Sequence, residues 1–207
     1  MRYHCSPGSL DMNFNPYEIG IYGGNLFDPV NPDPKDIRLS DIARSLSRIC
    51  RFNGHTNIFY SVLQHSFYVA RFLPERLSVF GLLHDAHEAY IGDISTPMKN
   101  YIGRDRIEKL TTAIDQAIYR AVGIRSPTEK EMEMVRRADW LALQVETSRL
   151  FSPKAPWLSP EFIDGNFFSA LPAGKEFSRE HWIRSVRSKS LEVLEKSTPD
   201  FSRNKRR

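Results

Sequence analysis

The sequence predicts an all-α domain that carries a small N-terminal β-hairpin. Three observations predict it. Apolar residues recur at helical spacing through most of the chain after Ser40. Helix start and stop signals bracket those stretches, among them Ser61 with Gln64, Ser126-Pro127-Thr128-Glu129, and Gly123. Only Ile19 to Phe27, reading Ile-Gly-Ile-Tyr-Gly-Gly-Asn-Leu-Phe, has the pattern of two short strands around a Gly23-Gly24 turn.

Residues 1–36 read as an N-terminal extension rich in Gly, Pro and Asn, and the stretch 28–36 holds three prolines, which makes it a loop. The helical core follows over 37–151. Ile42, Leu46 and Ile49 mark a first helix with Ser40 as its N-cap, and Asn53-Gly54 breaks it. Ser61 and Gln64 form a capping box for a second helix over 61–73, stopped by Pro74. A third helix is expected over 75–90, ending at Gly92. The loop 92–97 leads to a fourth over 104–122, stopped by Gly123. A fifth is expected from Ser126, as N-cap, to about Phe151. Residues 152–207 read as a proline-rich loop, a last helix over 178–196 with Trp182, Ile183, Val186, Leu191 and Leu194 as its apolar face, and a basic tail.

Composition limits the function. The chain has 207 residues, 41% hydrophobic and 26% charged, so it can bury a core without disulfides. Cys5 and Cys50 stand in no metal or redox spacing, and Cys50 in its apolar stretch is expected to be a buried free thiol, which fits a reducing cytoplasm. No apolar run has membrane-spanning length, and the first ten residues lack a secretory h-region, so the expected location is cytoplasmic, the host cytoplasm if a phage encodes the chain. Of the net charge of +4, the last ten residues carry +3. The remainder is nearly neutral, so no nucleic-acid polymer is expected as a partner.

The chemistry starts at His84-Asp85, behind Val79, Phe80, Leu82 and Leu83. A charge buried there needs a partner or a metal. Adjacent helical residues point about 100° apart, so both reach one cation only at a helix junction. Other helices must then supply ligands. His65 and Asp139 are the candidates, each on the interior of its own helix. Taken singly, His65 reads as an ordinary core histidine and Asp139 as a partner of Arg136 or Arg137. The joint pattern favours one divalent cation, with two imidazoles and two carboxylates suiting Zn, Co, Mn or Fe.

His65, His84-Asp85 and Asp139 resemble the H…HD…D signature of the HD-domain superfamily of metal-dependent phosphohydrolases. The flanking stretches, Leu46 to His55 and Glu88 to Lys99, resemble the bacterial 5′-deoxynucleotidases of the YfbR type and the small hydrolases that include the phage dATP triphosphohydrolase. The resemblance implies an HD-domain helical bundle in which His65, His84, Asp85 and Asp139 bind the metal. It implies that Glu88, four residues after His84 and on the same helix face, transfers a proton. It further implies that Asp93 orients water or binds sugar, and that Arg51 binds phosphate. Phe52 stands where the YfbR type has a tryptophan beside that arginine. Lys99 adds positive charge or is a surface lysine. His55 and His87 are read as supporting residues.

The activity so implied is hydrolysis of a 2′-deoxynucleotide, with dATP giving deoxyadenosine and tripolyphosphate. Mg accompanying the substrate phosphates is a further expected cofactor. A 5′-deoxynucleotidase acting on monophosphates is the first alternative. A signalling phosphohydrolase and a non-catalytic nucleotide-binding module are the others. The resemblance also implies a homo-oligomer, dimer or hexamer. Trp157, Phe162, Phe167 and Phe168 are candidates for its interface, or for packing on their own domain.

Overall fold

The structure, a computed structural model, describes residues 15–151 and 178–197. The expectations for Cys5, for the four interface aromatics and for the basic tail lie outside these residues.

A two-stranded antiparallel hairpin, β1 (Ile19–Gly20) and β2 (Leu26–Phe27), pairs Ile19 with Phe27 and Gly20 with Leu26. Gly24 closes its turn at φ 81°, a left-handed value that glycine adopts without strain. The helices are α1 (Leu39–Leu46), α2 (Val62–Arg71), α3 (Ser78–Leu83), α4 (Glu88–Ile91), α5 (Thr96–Ile102), α6 (Arg104–Val122), α7 (Glu129–Leu150) and α8 (Arg179–Ser197). The fold is therefore all-α with a small N-terminal hairpin. Among the described residues no helix is long and apolar enough to cross a membrane.

The core is one continuous cluster in which Ile42 and Leu46 of α1, Leu63 and Tyr68 of α2, Phe80 and Leu83 of α3, Ile114 and Ile118 of α6, and Val135 of α7 are buried. Ile42 and Leu46 come from the apolar stripe their spacing predicts, whereas α3 is buried along its whole length. Trp182 brings α8 onto α2: it is fully buried, and its indole N–H donates to Ser66 Oγ at 3.0 Å. Phe27 stacks on Tyr90 at 3.9 Å between ring centroids, which fastens the hairpin to α4. The tightest approach is at Gly81. A Cβ there would lie 2.8 Å from the Ala70 Cα, so α2 and α3 meet backbone to backbone.

Several expected boundaries are corrected. Ser40 does not cap α1; the cap position is Arg38, without a side-chain bond, and the Ser40 hydroxyl turns instead to Asp41. The helix expected over 75–90 is three pieces: a 3₁₀ turn at Glu75–Leu77, then α3, then α4. Between α3 and α4 the backbone donors of Ala86, Glu88, Ala89 and Tyr90 reach back only three residues, and this tighter winding ends the α-helix. His84 and Glu88 thus do not share one helix face. Helix α5 begins inside the stretch 92–97 expected to be loop and continues through residues to which the sequence pattern assigns no element. Helix α7 is capped by Thr128, not Ser126, because Thr128 and Glu131 form a reciprocal capping box. Cys50 is half-buried rather than buried, lying on the bridge that pairs it with Ser61.

Candidate metal centre

The capping box at Ser61 and Gln64 fixes the start of α2, and one turn on His65 points wholly inward. His84 is the C-cap of α3 and Asp85 follows it in the tight turn. Asp139 comes from the middle of α7. The structure brings His65, His84 and Asp139 into one group of possible cation ligands, with Asp85 Oδ2 beside both imidazoles. His65 Nε2 lies 3.2 Å from His84 Nε2, 3.0 Å from Asp139 Oδ1 and 3.5 Å from Asp85 Oδ2. His84 Nε2 lies 3.1 Å from Asp85 Oδ2 and 3.9 Å from Asp139 Oδ1. Ligands bound at ~2.1 Å to one cation sit roughly 3.0–3.4 Å apart at octahedral or tetrahedral angles. The Asp139 side chain is 43% exposed and marks the side open to solvent.

The outer nitrogens decide what the centre takes. His65 Nδ1 lies 2.6 Å from Glu146 Oε1, a carboxylate that accepts, so Nδ1 carries the proton. His84 Nδ1 lies 2.8 Å from the Gly81 carbonyl, which also only accepts. In their neutral forms both imidazoles therefore turn an Nε2 lone pair toward the same point, alongside two carboxylate oxygens. Four acceptors with no donor between them call for positive charge, and a divalent cation fits that donor set. The proton equilibria respond to the same field. Burial and Arg51 disfavour a charged His65, yet Glu146 and Asp139 overcome them and push it up to about 9. Burial raises Asp85, but His84, His65 and Arg51 hold it well below the usual carboxylate range.

Arg51 sits in a 3₁₀ turn, Arg51–Gly54, with its side chain 12% exposed. Its Nη1 is 3.7 Å from Asp85 Oδ2 and its Nη2 3.4 Å from Glu146 Oε2. Its Nε is buried without an acceptor. Phe52 and Asn53 follow at φ 55° and 51°, left-handed values that are strained for Phe52 and readily adopted by Asn53. The Phe52 ring meets Phe151 edge-on, 5.1 Å between centroids, and lies 5.3 Å from the Arg51 guanidinium carbon. Phe52 thus stands beside Arg51.

Glu88 is 2% exposed and its Oε2 has no hydrogen-bond partner. Burial first, then the charges of Asp85 and Asp93, push Glu88 well above its ordinary value, against the pull of Arg51 and Lys99. Asp93 is half-buried and is pushed up by burial, with Arg51 opposing. Lys99 on α5 is half-buried; its charge acts on both carboxylates without a direct ion pair. His55 is exposed at the end of the Arg51 turn. His87 is bound by Asp115, Nδ1 to Oδ1 at 3.0 Å. A second group of possible cation ligands, Asp85, His87 and Glu88, lies beside the first.

Sequence reading missed Glu146. It is fully buried and holds His65, the Tyr60 hydroxyl at 2.9 Å and Arg51 together. One signal was available: it follows Asp139 by seven residues, two helical turns along the same face.

No family model matches the chain. The uncharacterized protein YfdR of Escherichia coli K12 is 37% identical over 123 residues, an alignment spanning 58% of this chain and 68% of that protein. The uncharacterized protein RCAP_rcc00048 of Rhodobacter capsulatus is 33% identical over 142 residues, spanning 63% of this chain and 71% of its own. At this identity and coverage, the chain belongs to the family that contains YfdR and RCAP_rcc00048.

Proposed function

We propose that this protein is a divalent-metal-dependent phosphohydrolase of the HD superfamily that acts on 2′-deoxynucleotides, releasing deoxyadenosine and tripolyphosphate from dATP. One observation carries the reading: Arg51, a buried guanidinium with an orphaned Nε–H, stands 3.7 Å from Asp85 of the four-ligand cluster. A buried donor beside a cation site suits a phosphate, whose oxygens satisfy both. The choice of deoxynucleotide, and of adenine, rests on the resemblance of the segments 46–55 and 88–99.

His65, His84, Asp85 and Asp139 would hold Mn, Fe, Co or Zn, which when bound lowers the pKa of water and polarises a phosphoryl oxygen. Arg51 binds the α-phosphate and offsets charge on its equatorial oxygens, with Lys99 adding to the field. Phe52 packs beside the nucleoside. Glu88 takes the proton of the attacking water and returns it to the 5′-oxygen as the bond from phosphorus to that oxygen breaks. Burial and its acidic neighbours raise its affinity for a proton, which strengthens it as the group that accepts one. Asp93 orients the water or the sugar.

Phosphorus NMR with Co, Mn or Zn supplied separately tests the proposal. Tripolyphosphate from dATP, with dAMP untouched, is expected. Orthophosphate from dAMP, with dATP inert, would make the protein a 5′-deoxynucleotidase. Nucleotide binding without turnover under every metal would make it a binding module. Asp85→Ala is expected to abolish turnover, and full activity in that variant would remove the metal assignment.

A further inference from the structure

One face of α1 takes no part in the metal centre. Asp41, Arg44, Ser45 and Arg48, at positions i, i+3, i+4 and i+7 of the helix and its end, line a cavity of about 220 Å³ that the hairpin and α4 close. Two buried polar atoms of its lining have no partner. Asp41 is 6% exposed; its Oδ1 accepts from the Ser40 hydroxyl at 3.4 Å, while Oδ2 has no donor. Tyr90 is 8% exposed and stacks on Phe27, but its hydroxyl meets nothing. The two do not satisfy each other. Burial first, and then the charge of Asp41, push the Tyr90 hydroxyl above its ordinary pKa, yet no hydrogen bond joins them. Gly23 of the hairpin leaves the carboxylate its room, since a Cβ there would lie 3.2 Å from Asp41 Oδ2. At the open side stand Arg48, exposed, and Arg44, half-buried with its guanidinium carbon 3.6 Å from the centre of the Tyr22 ring. Among the described residues no carboxylate pairs with either arginine.

An unmet buried acceptor and an unmet buried hydroxyl are both costly, and the cavity has far more room than one bridging water needs. Its charges narrow what can fill it. The arginines call for an anion, whereas Asp41 Oδ2 calls for a donor. A bare anion is repelled by Asp41, and a bare cation by Arg44 and Arg48. An ammonium group has three hydrogens to place, and Asp41 Oδ2 is the single purely accepting atom left free. Hydrogen phosphate meets every group at once. Its P–O–H donates to Asp41 Oδ2, and its other oxygens accept from the Tyr90 hydroxyl and from the planar guanidinium forks. Sulfate has the same shape but carries no proton at neutral pH, so it offers Asp41 only repulsion.

We infer that Asp41, Tyr90, Arg44 and Arg48 form a binding site for a phosphate that keeps one proton, either the free ion or a small monoester. The site is separate from the metal centre and does not depend on the activity proposed for it. Asp41 selects the ligand by its proton, Tyr90 adds a donor from the floor, and the arginines draw the charge in.

The test follows backbone amide NMR shifts of the full-length protein near neutral pH, with sodium phosphate and sodium sulfate as probes at equal ionic strength. Phosphate is expected to shift the amides of Ile21, Ser45 and Ala89, and sulfate to leave them in place. Asp41→Asn replaces the acceptor by an amide that can donate; it should weaken phosphate about 10–100-fold and let sulfate bind. Tyr90→Phe keeps the stack on Phe27 and should weaken phosphate about 3–10-fold. Circular dichroism checks that both variants keep their helices. If Asp41→Asn unfolds, Tyr90→Phe decides, and undiminished phosphate binding there overturns the inference. Equal binding of the two anions overturns it as well, because only the charge of the arginines would then be at work. Shifts confined to the neighbours of Arg51 overturn it while leaving the phosphate role of Arg51 standing, and no shift at all overturns it outright. Glycerol phosphate titrated alongside separates the two sources: tighter binding than the free ion assigns the site to a monoester, and weaker binding assigns it to phosphate itself.

Discussion

Removing the carboxylate of Glu146 leaves three groups without a counterpart: the Nδ1–H of His65, the hydroxyl of Tyr60 and the Nη2 of Arg51. Deleting one partner of a buried pair costs about 3–5 kcal/mol, so Glu146→Ala should unfold at clearly lower denaturant. Glu146→Gln keeps an acceptor for His65 but loses the charge. It should stay folded and bind Mn²⁺ about 10–100-fold more weakly, as read by titration calorimetry. Unchanged affinity would mean that Glu146 serves the core alone. The four proposed ligands were legible because histidine and aspartate among apolar neighbours need a reason to be there. Glu146 was not. It lies on a helix whose first turns hold Glu129, Lys130, Glu131, Glu133, Arg136 and Arg137, and its burial depends on α2 lying across it.

Helix ends gave sequence signals of uneven value. The capping box of α2 stands where Ser61 and Gln64 predict it, whereas α7 takes its cap from Thr128. The winner there has more bonds: Glu131 reaches the Thr128 amide at 2.8 Å and is clamped by both terminal nitrogens of Arg125 at 2.7 Å. Arg125 first, with Thr128 adding and slight burial opposing, lowers Glu131 to about 2. A carboxylate lowered in the folded state contributes stability above its ordinary value of 4.5, and loses it as pH falls toward 2. Glu131→Gln should cost about 1 kcal/mol at neutral pH, since the exposed Arg125 is screened by solvent and the cap is the main loss. Denaturant midpoints of variant and wild type should converge between pH 4.5 and 2. A constant difference would assign the loss to packing. The break between α3 and α4 carried no comparable signal. No Gly or Pro stands at 84–87, and the tight winding there depends on contacts that no local pattern encodes.

At the scale of the molecule, the proposed ligands come from α2, the turn after α3, and α7, separated by up to 74 positions between His65 and Asp139. A cation held there binds the folded chain and not the unfolded one. Stability should therefore rise with free metal, by about 2.7 kcal/mol at a hundred times the dissociation constant. A melting temperature that ignores both added Mn²⁺ and chelator would count against the centre. The overall class was legible because helical period is a local property. How the helices face one another was not, since it depends on close approaches such as that of Gly81 to Ala70. That approach has a consequence for ion size. His84 is tied to the Gly81 carbonyl and His65 rides on the same helix as Ala70, so backbone contact, and not side-chain choice, sets the bite between the imidazoles. Packed backbone yields little to compression or stretch. For the proposed centre, an ion with bonds of ~2.1 Å matches this bite, and Ca²⁺, at about 2.3–2.6 Å, is expected to bind more weakly.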